Sequence, residues 1–180
     1  MRKVVVYELV SVDGVASTPE EFFLDYWDEA LDANLATVIG TQDDVVLGRR
    51  SHDEWARYWP SSDVEPFASF INAVPKHVAT STPLTERWSG ATAIDGDLVA
   101  HVLGLAAGDG GDIGVHASIS VARTLLAAGA VDELRLVVAP CVAGSGRRLL
   151  DDLPAMRLQT LECAASPSGA LMLRYAVLPG

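Results

Sequence analysis

In VVLGRRSHDEWARYWP, residues 45–60, an apolar run closes on Gly48 and two adjacent arginines, Arg49 and Arg50, directly before a segment with helical patterning. Gly48 lets a backbone approach closely, and Ser51 can cap a helix or donate a hydrogen bond. The free N–H groups of a helix beginning there suit a pyrophosphate. Arg49 and Arg50 add planar, charge-assisted donors of the sort that pairs with a phosphate monoester. The alternative is a pair of solvated arginines balancing Asp43, Asp44 and Asp53. Two further turns offer related chemistry. Thr80, Ser81 and Thr82 put three consecutive hydroxyls after HVA, able to bond a ribose or a 2'-phosphate, although Pro83 alone accounts for a turn there. In GVHASIS, the small residues Ala117, Ser118 and Ser120 let a phosphate reach a helix N-terminus. No one of these turns is specific; three of them on strand ends form a stronger signal.

Such turns need strands and helices to hold them. Residues 4–10 are almost continuously apolar and rich in valine, the pattern of a strand covered on both faces, and end at the turn SVDG. Thr18, Pro19 and Glu21 make a capping box with proline at the first helical position. Phe22, Phe23, Tyr26, Trp27, Ala30, Leu31, Leu35 and Val38 then recur at helical spacing, which predicts a long helix over residues 19–38. DDVVLG reads as a second strand, SHDEWARYW as a short helix stopped by Pro60, and residues 64–73 as another short helix. KHVATST reads as a strand, residues 91–94 as a weaker one, and GDLVAHVLGLAA as a helix. DIGVHASISVARTLLAAGAVDELRLVVAP runs strand, turn, helix, strand, with Gly129 as the helix's C-terminal glycine. LQTLECAA and ALMLRYAVL, joined across SPSG, read as an antiparallel hairpin. The sum is a three-layer α/β domain whose mainly parallel sheet has an antiparallel C-terminal edge. In open sheets of this kind ligands bind beyond the carboxyl ends of the strands, where the three turns fall.

Bulk properties narrow the function. The chain has 180 residues, 49% of them hydrophobic, with no apolar run long enough to span a bilayer, and is expected to fold as one soluble domain. A net charge of -11 disfavours nucleic acid and anionic membranes as partners. The N-terminus has too short an apolar run for a secretory signal, so a cytoplasmic location is expected. Cys141 and Cys163 form no C-x-x-C pattern and, lying in apolar segments, read as buried free thiols. His52, His77, His101 and His116 show no close pairing in sequence, so no metal site is expected. The absence of G-x-x-x-x-G-K-[ST], G-x-G-x-x-G and G-x-S-x-G removes support for a kinase, a conventional Rossmann dehydrogenase and a serine hydrolase.

SVDGVAS, VVLGRRSHDEW, HVATST, DIGVHASIS and AAGAVDELRLVVAPCVAGSGRRLL together resemble the dihydrofolate reductase-like superfamily. Within it, the chain is similar to stand-alone proteins related to the C-terminal reductase domain of the bifunctional riboflavin-biosynthesis deaminase-reductase. The resemblance implies a dihydrofolate reductase-like fold with a mostly parallel sheet of about eight strands, NADPH as hydride donor, and a homodimer. The implied activity is reduction of a small heterocycle, as in 5-amino-6-(5-phosphoribosylamino)uracil reductase. A non-catalytic homodimeric nucleotide-binding module and dihydrofolate reductase itself are the alternatives. Carried over by motif, Gly48, Arg49, Arg50 and Ser51 hold cofactor phosphates, and Thr80, Ser81 and Thr82 the 2'-phosphate and adenine end. His116, Ala117, Ser118, Ile119 and Ser120 form the pyrophosphate turn, while Val12 and Asp13 lie beside nicotinamide and substrate. Asp13 is the first candidate for a catalytic contact and Asp25 the second; a turn former and a solvated helix residue are the respective alternatives. Trp55, Tyr58 and Trp59 either wall a flat heterocycle or belong to the core. Two departures stand out: Ala117 occupies a turn that usually carries glycine, and Val15 stands where riboflavin reductases commonly have lysine.

Overall fold

The computed structural model describes residues 1–179. The valine-rich run forms β1 (Val4–Ser11), buried along nearly its whole length, as a strand covered on both faces must be. Then follow α1 (Glu29–Ile39), β2 (Gln42–Gly48), α2 (Arg49–Tyr58), α3 (Phe67–Ala73), β3 (Lys76–Ala79), β4 (Ala91–Ala93) and α4 (Leu98–Ala106). The chain closes with β5 (Asp112–His116), α5 (Ile119–Ala127), β6 (Glu133–Ala139), β7 (Leu158–Ala165) and β8 (Leu171–Val177). The strands form one sheet in the order β4-β3-β2-β5-β1-β6-β8-β7. The first six in that order run parallel, and β8 and β7 are antiparallel. This is the three-layer architecture expected from the sequence, with the C-terminal hairpin as the antiparallel edge.

Each face carries its own core. Val4, Val6 and Val10 pack with Val115, Leu134, Val102 of α4, and Ile119, Ala122 and Leu125 of α5. Tyr7, Val45 and Leu47 face Leu31, Leu35 and Val38 of α1 and Phe67 and Ile71 of α3. Full burial of such a side chain is worth roughly 1.5–3 kcal/mol, so these two clusters fix how the helices sit on the sheet. Gly129, at φ 65, ends α5 as expected, in a conformation costly for other residues.

Two expectations need correction. The long helix over residues 19–38 is instead two 3-10 turns, Pro19–Glu21 and Leu24–Tyr26, followed by α1. Thr18 sits in the left-handed region at φ 47 and makes no capping bond, so the box over Thr18 and Glu21 does not form. The working cap is Asp28, whose carboxylate accepts from the Ala30 and Leu31 amides. Trp27 is extended there, which breaks the helical register of the aromatic residues. Phe23 nevertheless reaches the core, because a 3-10 turn can bury one aromatic side chain as a helix does. The cysteines are not buried: Cys141 is half-buried and Cys163 is exposed. β7 is the outermost strand, and all of its residues but Ala164 are exposed, so its apolar letters do not mark a core.

Candidate functional site

β5 lies between β2 and β1, so the chain leaves β1 in one direction across the sheet and leaves β5 in the other. In open α/β sheets such a reversal marks the crevice where ligands bind, here at the carboxyl ends of β2, β5 and β1. β2 ends at Gly48 and β5 at His116, and each leads directly into a helix. The two helix N-termini are tied together by three hydrogen bonds. The Gly48 N–H donates to Ser118 Oγ at 2.8 Å, Ser118 Oγ donates to Ser51 Oγ at 2.9 Å, and Ser51 Oγ donates to the Ala117 carbonyl at 2.7 Å.

This relay has an electrostatic consequence. Ser118 is the N-cap residue of α5, but its hydroxyl is committed to Gly48 and Ser51 and caps nothing. Gly48, the N-cap residue of α2, has no side chain to offer. By contrast α1 and α4 are capped by Asp28 and Asp97. The two helices that start at the crevice thus keep their leading amides and the positive ends of their dipoles available to an anion. A Cβ placed at Gly48 would meet nothing closer than 3.5 Å, and its φ of -81° suits any residue. Nothing inside the fold demands glycine there, so any demand comes from a group lying against the strand end.

Arg49 joins the second motif to the first. Its Nε donates to Asp53 at 2.7 Å, Nη1 to Thr82 Oγ1 at 3.0 Å and to the Pro83 carbonyl at 2.7 Å, and Nη2 to Thr85 Oγ1 at 2.9 Å. Its guanidinium is a staple for the loop after β3 rather than a free phosphate ligand. Thr80 and Thr82 bond to each other's segment, with Thr80 Oγ1 donating to the Thr82 carbonyl at 2.9 Å. Beside them an open groove of about 620 Å³ runs along Thr80, Ser81, Thr82, Ile94, Asp95 and Leu98. Arg50 points outward, paired with Glu54 at 2.8 Å in an exposed i,i+4 bridge. It is the arginine of the pair whose guanidinium can turn to a ligand at little cost.

At the third turn, Ala117 adopts φ 50, the left-handed conformation that glycine normally serves. The methyl group there carries a backbone penalty of roughly 1 kcal/mol. The His116 side chain leaves the crevice for the opposite face of the sheet, packing near Tyr7, Phe67 and Phe70 and bonding Gln42 at 2.8 Å. Burial pushes its imidazole down to about 4, so it is neutral and supplies no charge to a phosphate. Ile119 likewise turns its side chain into the core, leaving its backbone to the turn.

Beyond β1, Val12 is 63% exposed, and its N–H donates to the Cys141 carbonyl at 2.8 Å. Asp13 organises the 141–148 loop: its carboxylate accepts from Ser11 Oγ at 2.7 Å and from the Ala143 and Gly144 amides at 2.9 and 3.0 Å. The Ser11 hydroxyl first, with the Ala143 and Gly144 amides, holds that carboxyl below its ordinary range. Asp13 is therefore a carboxylate that positions a loop, not a proton donor at neutral pH. Asp25 lies exposed on the second 3-10 turn. Trp55 and Trp59 pack edge-on against Phe67 at 5.5 and 4.8 Å, as core aromatics do. Tyr58 is 54% exposed, its ring 4.9 Å from Trp59. Val15 is 1% exposed and bridges to Arg148, so the position offers no cation.

Two residues enter the site without a sequence signal of their own. Arg147 Nη2 donates to Ser120 Oγ at 2.9 Å, which places a cation at the first turn of α5. Its segment AGSGRR is glycine-flanked, which is the only hint the sequence carries. Glu8, in the middle of β1, is 4% exposed, one residue beyond the Tyr7–His116 pair and so beside the start of this turn. A strand-centre glutamate reads simply as an interruption of an apolar run until the turn above it is in place.

Comparisons with known proteins agree with this fold. The family model for the RibD C-terminal domain matches residues 2–172. YyaP of Bacillus subtilis strain 168, an uncharacterized protein, is 26% identical over 149 residues, covering 80% of this chain and 79% of its own. The fold superposes on a putative riboflavin biosynthesis protein from Shewanella sp. PV-4 with a TM-score of 0.75 at 17% identity, covering 98% of this chain and 99% of that one. It also superposes on dihydrofolate reductase from Enterococcus faecalis, a complex with NADP(H), with a TM-score of 0.64 at 14% identity over 98% and 97% of the two chains. With a strand order, a mostly parallel sheet and a model match that agree, the chain belongs to the RibD C-terminal domain family, on a dihydrofolate reductase-like fold.

Proposed function

We propose that the protein is an NADPH-dependent reductase of a small heterocyclic substrate, of the general type of 5-amino-6-(5-phosphoribosylamino)uracil reductase. The observation that carries this is the pair of uncapped helix N-termini, α2 and α5, locked side by side by Gly48, Ser51 and Ser118 at the strand ends. A dinucleotide's pyrophosphate is the kind of group such a pair receives. The amides of Arg49, Arg50 and Ser51 and of Ser118, Ile119 and Ser120 would hold it, with Arg147 beside them. Arg50 would reach the 2'-phosphate, and Ser81 with Thr80 and Thr82 would line the adenine end of the groove. Val12, exposed at the end of β1, would lie against the nicotinamide.

When bound, NADPH supplies a hydride from its nicotinamide C4. The chain's part is to bind, orient and exclude water. Asp13 contributes by fixing the 141–148 loop over the end of β1, and Trp55, Tyr58 and Trp59 by setting the position of α2. Asp25 serves as a substrate contact only if the 3-10 turns close over the crevice. Val15 removes the cation expected for a phosphoribosyl group, which favours a substrate without that phosphate. On this reading the protein works as a cytoplasmic homodimer; among the described residues no helix is long and apolar enough to cross a membrane.

One rival has specific support. The methyl of Ala117 in a left-handed turn, together with Val15, favours a homodimeric module that binds a nucleotide without turnover. Titration with NADPH and NADH tests the first proposal, and no binding at millimolar concentration sinks it. NADPH oxidation with a reducible pyrimidine or pterin then separates enzyme from module, and the pterin arm also decides on dihydrofolate reductase activity.

A further inference from the structure

Two glutamates are buried in this sheet, and the fold treats them in opposite ways. Glu133, 3% exposed on β6, is met by Lys3, Arg135 and Arg174, whose bonds, Arg174's foremost, hold its carboxyl down at about 2. Glu8, 4% exposed on β1, is bonded by no cation among the described residues. It pairs in register with Leu136 of β6 and shares a face with Val4, Val6 and Val10. Tyr7 is paired with His116, so Glu8 lies one step further along, beside the start of the Ala117–Ser118 turn. The Ser118 N–H pulls its carboxyl toward the ionised form, and Oε1 has no partner.

We propose that Glu8 is a proton switch beneath the phosphate site at the N-terminus of α5. Neutral, it leaves the Ser118 amide and the helix dipole to a phosphate of the nicotinamide nucleotide. Ionised, it takes that amide itself and repels the phosphate. The inference rests on the nucleotide-binding reading above. Nucleotide binding then takes up one proton from solvent, onto the Glu8 carboxylate, wherever the free protein holds Glu8 ionised.

Among the described residues no cation bonds Glu8, and the Arg147 guanidinium at the first turn of α5 is engaged with Ser120 Oγ. Along this face Val115 of β5 is in register with Val6, and Leu134, Leu136 and Val138 of β6 are in register with Val6, Glu8 and Val10. His101 of α4 is turned to His77. Arg123 of α5 is spent on the Arg148 and Leu149 carbonyls, and Arg148 on the Asp13 carbonyl. Burial pushes the Glu8 carboxyl up to about 8, against the pull of the Ser118 amide. With that midpoint, the competent neutral fraction falls about tenfold between pH 7 and pH 9, and the apparent affinity falls with it.

The test is calorimetric titration of the wild-type protein and of Glu8→Gln with NADH and with NADPH from pH 7 to pH 9, each in two buffers of different ionisation enthalpy. This range lies above the 2'-phosphate titration, and NADH lacks that group altogether. The wild type is expected to bind about tenfold more weakly at pH 9 than at pH 7 and to take up close to one proton at pH 9. Glu8→Gln, a fixed neutral isostere, is expected to keep the tight value throughout with no uptake. Binding by the wild type without proton uptake at pH 9, or the same pH slope in both proteins, overturns the switch and leaves the nucleotide reading standing. Absence of binding by both proteins at every pH removes the nucleotide reading, and the switch with it.

Discussion

The Glu8 carboxyl makes a prediction about folding that needs no ligand. A glutamate in the unfolded chain titrates near 4.5, and in the fold burial moves Glu8 up to about 8. Between those values the folded state holds the proton that the unfolded state has lost, so stability falls as pH rises. The contribution is complete below about 4.5 and gone above about 8. At 1.36 kcal/mol per unit, the three units from pH 5 to pH 8 set a loss of up to about 4 kcal/mol, a large share of a domain's 5–15 kcal/mol. Because Glu8 is 4% exposed, solvent screening takes little from that figure. Glu8→Gln removes the ionisation while keeping shape and polarity. The difference in unfolding free energy between Glu8→Gln and wild type should therefore grow in the variant's favour by about 3–4 kcal/mol from pH 5 to pH 8. Urea denaturation followed by tryptophan fluorescence at several pH values in that range measures it. His116, pushed down to about 4, acts with the opposite sign in the lower part of the range and is common to both proteins, so it cancels. Parallel stability curves for the two proteins would show that Glu8 is ionised at neutral pH, and would refute both its cationless burial and the switch built on it.

Three further perturbations probe the crevice. Gly48→Ala should leave unfolding free energy within about 0.5 kcal/mol of wild type, since its φ suits alanine and its neighbours leave room, while weakening nucleotide binding at least tenfold; equal binding would mean that no ligand approaches there. Ala117→Gly should stabilise the fold by about 0.5–1 kcal/mol by relieving the left-handed alanine and should tighten NADPH; a lower melting temperature would contradict it. Arg49→Met should cost about 2 kcal/mol and speed amide exchange in residues 80–85, because one guanidinium holds Thr82, Pro83 and Thr85; unchanged exchange there would deny the staple.

How far the sequence speaks depends on the range of the physics involved. The parallel sheet and its antiparallel edge were legible because strand burial writes continuous valine-rich runs and the hairpin writes alternation across SPSG. The segment 19–38 misled because its aromatic spacing satisfies a helix, while the choice between a helix and two 3-10 turns was made by the Thr18 backbone and by the Asp28 cap further on. In the site, Gly48, Ser51 and Ser118 could be picked out singly, but not their mutual hydrogen bonds, which join residues 67 and 70 positions apart. Arg49 and Arg50 look alike in one dimension and diverge in three. One is bound by the loop after β3 and the other pairs with Glu54 at the surface.

The same distinction explains why Glu8 was invisible and why it matters. Within a strand, an acidic residue between apolar neighbours marks a solvent-facing position when one face is wet. β1 has no wet face, since β5 and β6 flank it and helices cover both sides. A carboxyl placed there without a cation costs the fold several kcal/mol at neutral pH if it ionises, so it is held as the acid. Glu133 proves that this sheet can recruit three cations for a buried carboxylate where the neighbours permit. Leaving Glu8 unpaired beneath a helix N-terminus, beside an amide an anion would use, turns a cost in stability into a dependence of binding on the proton. If Glu8→Gln proves both more stable at pH 8 and indifferent to pH in binding NADH, a single carboxyl accounts for both observations.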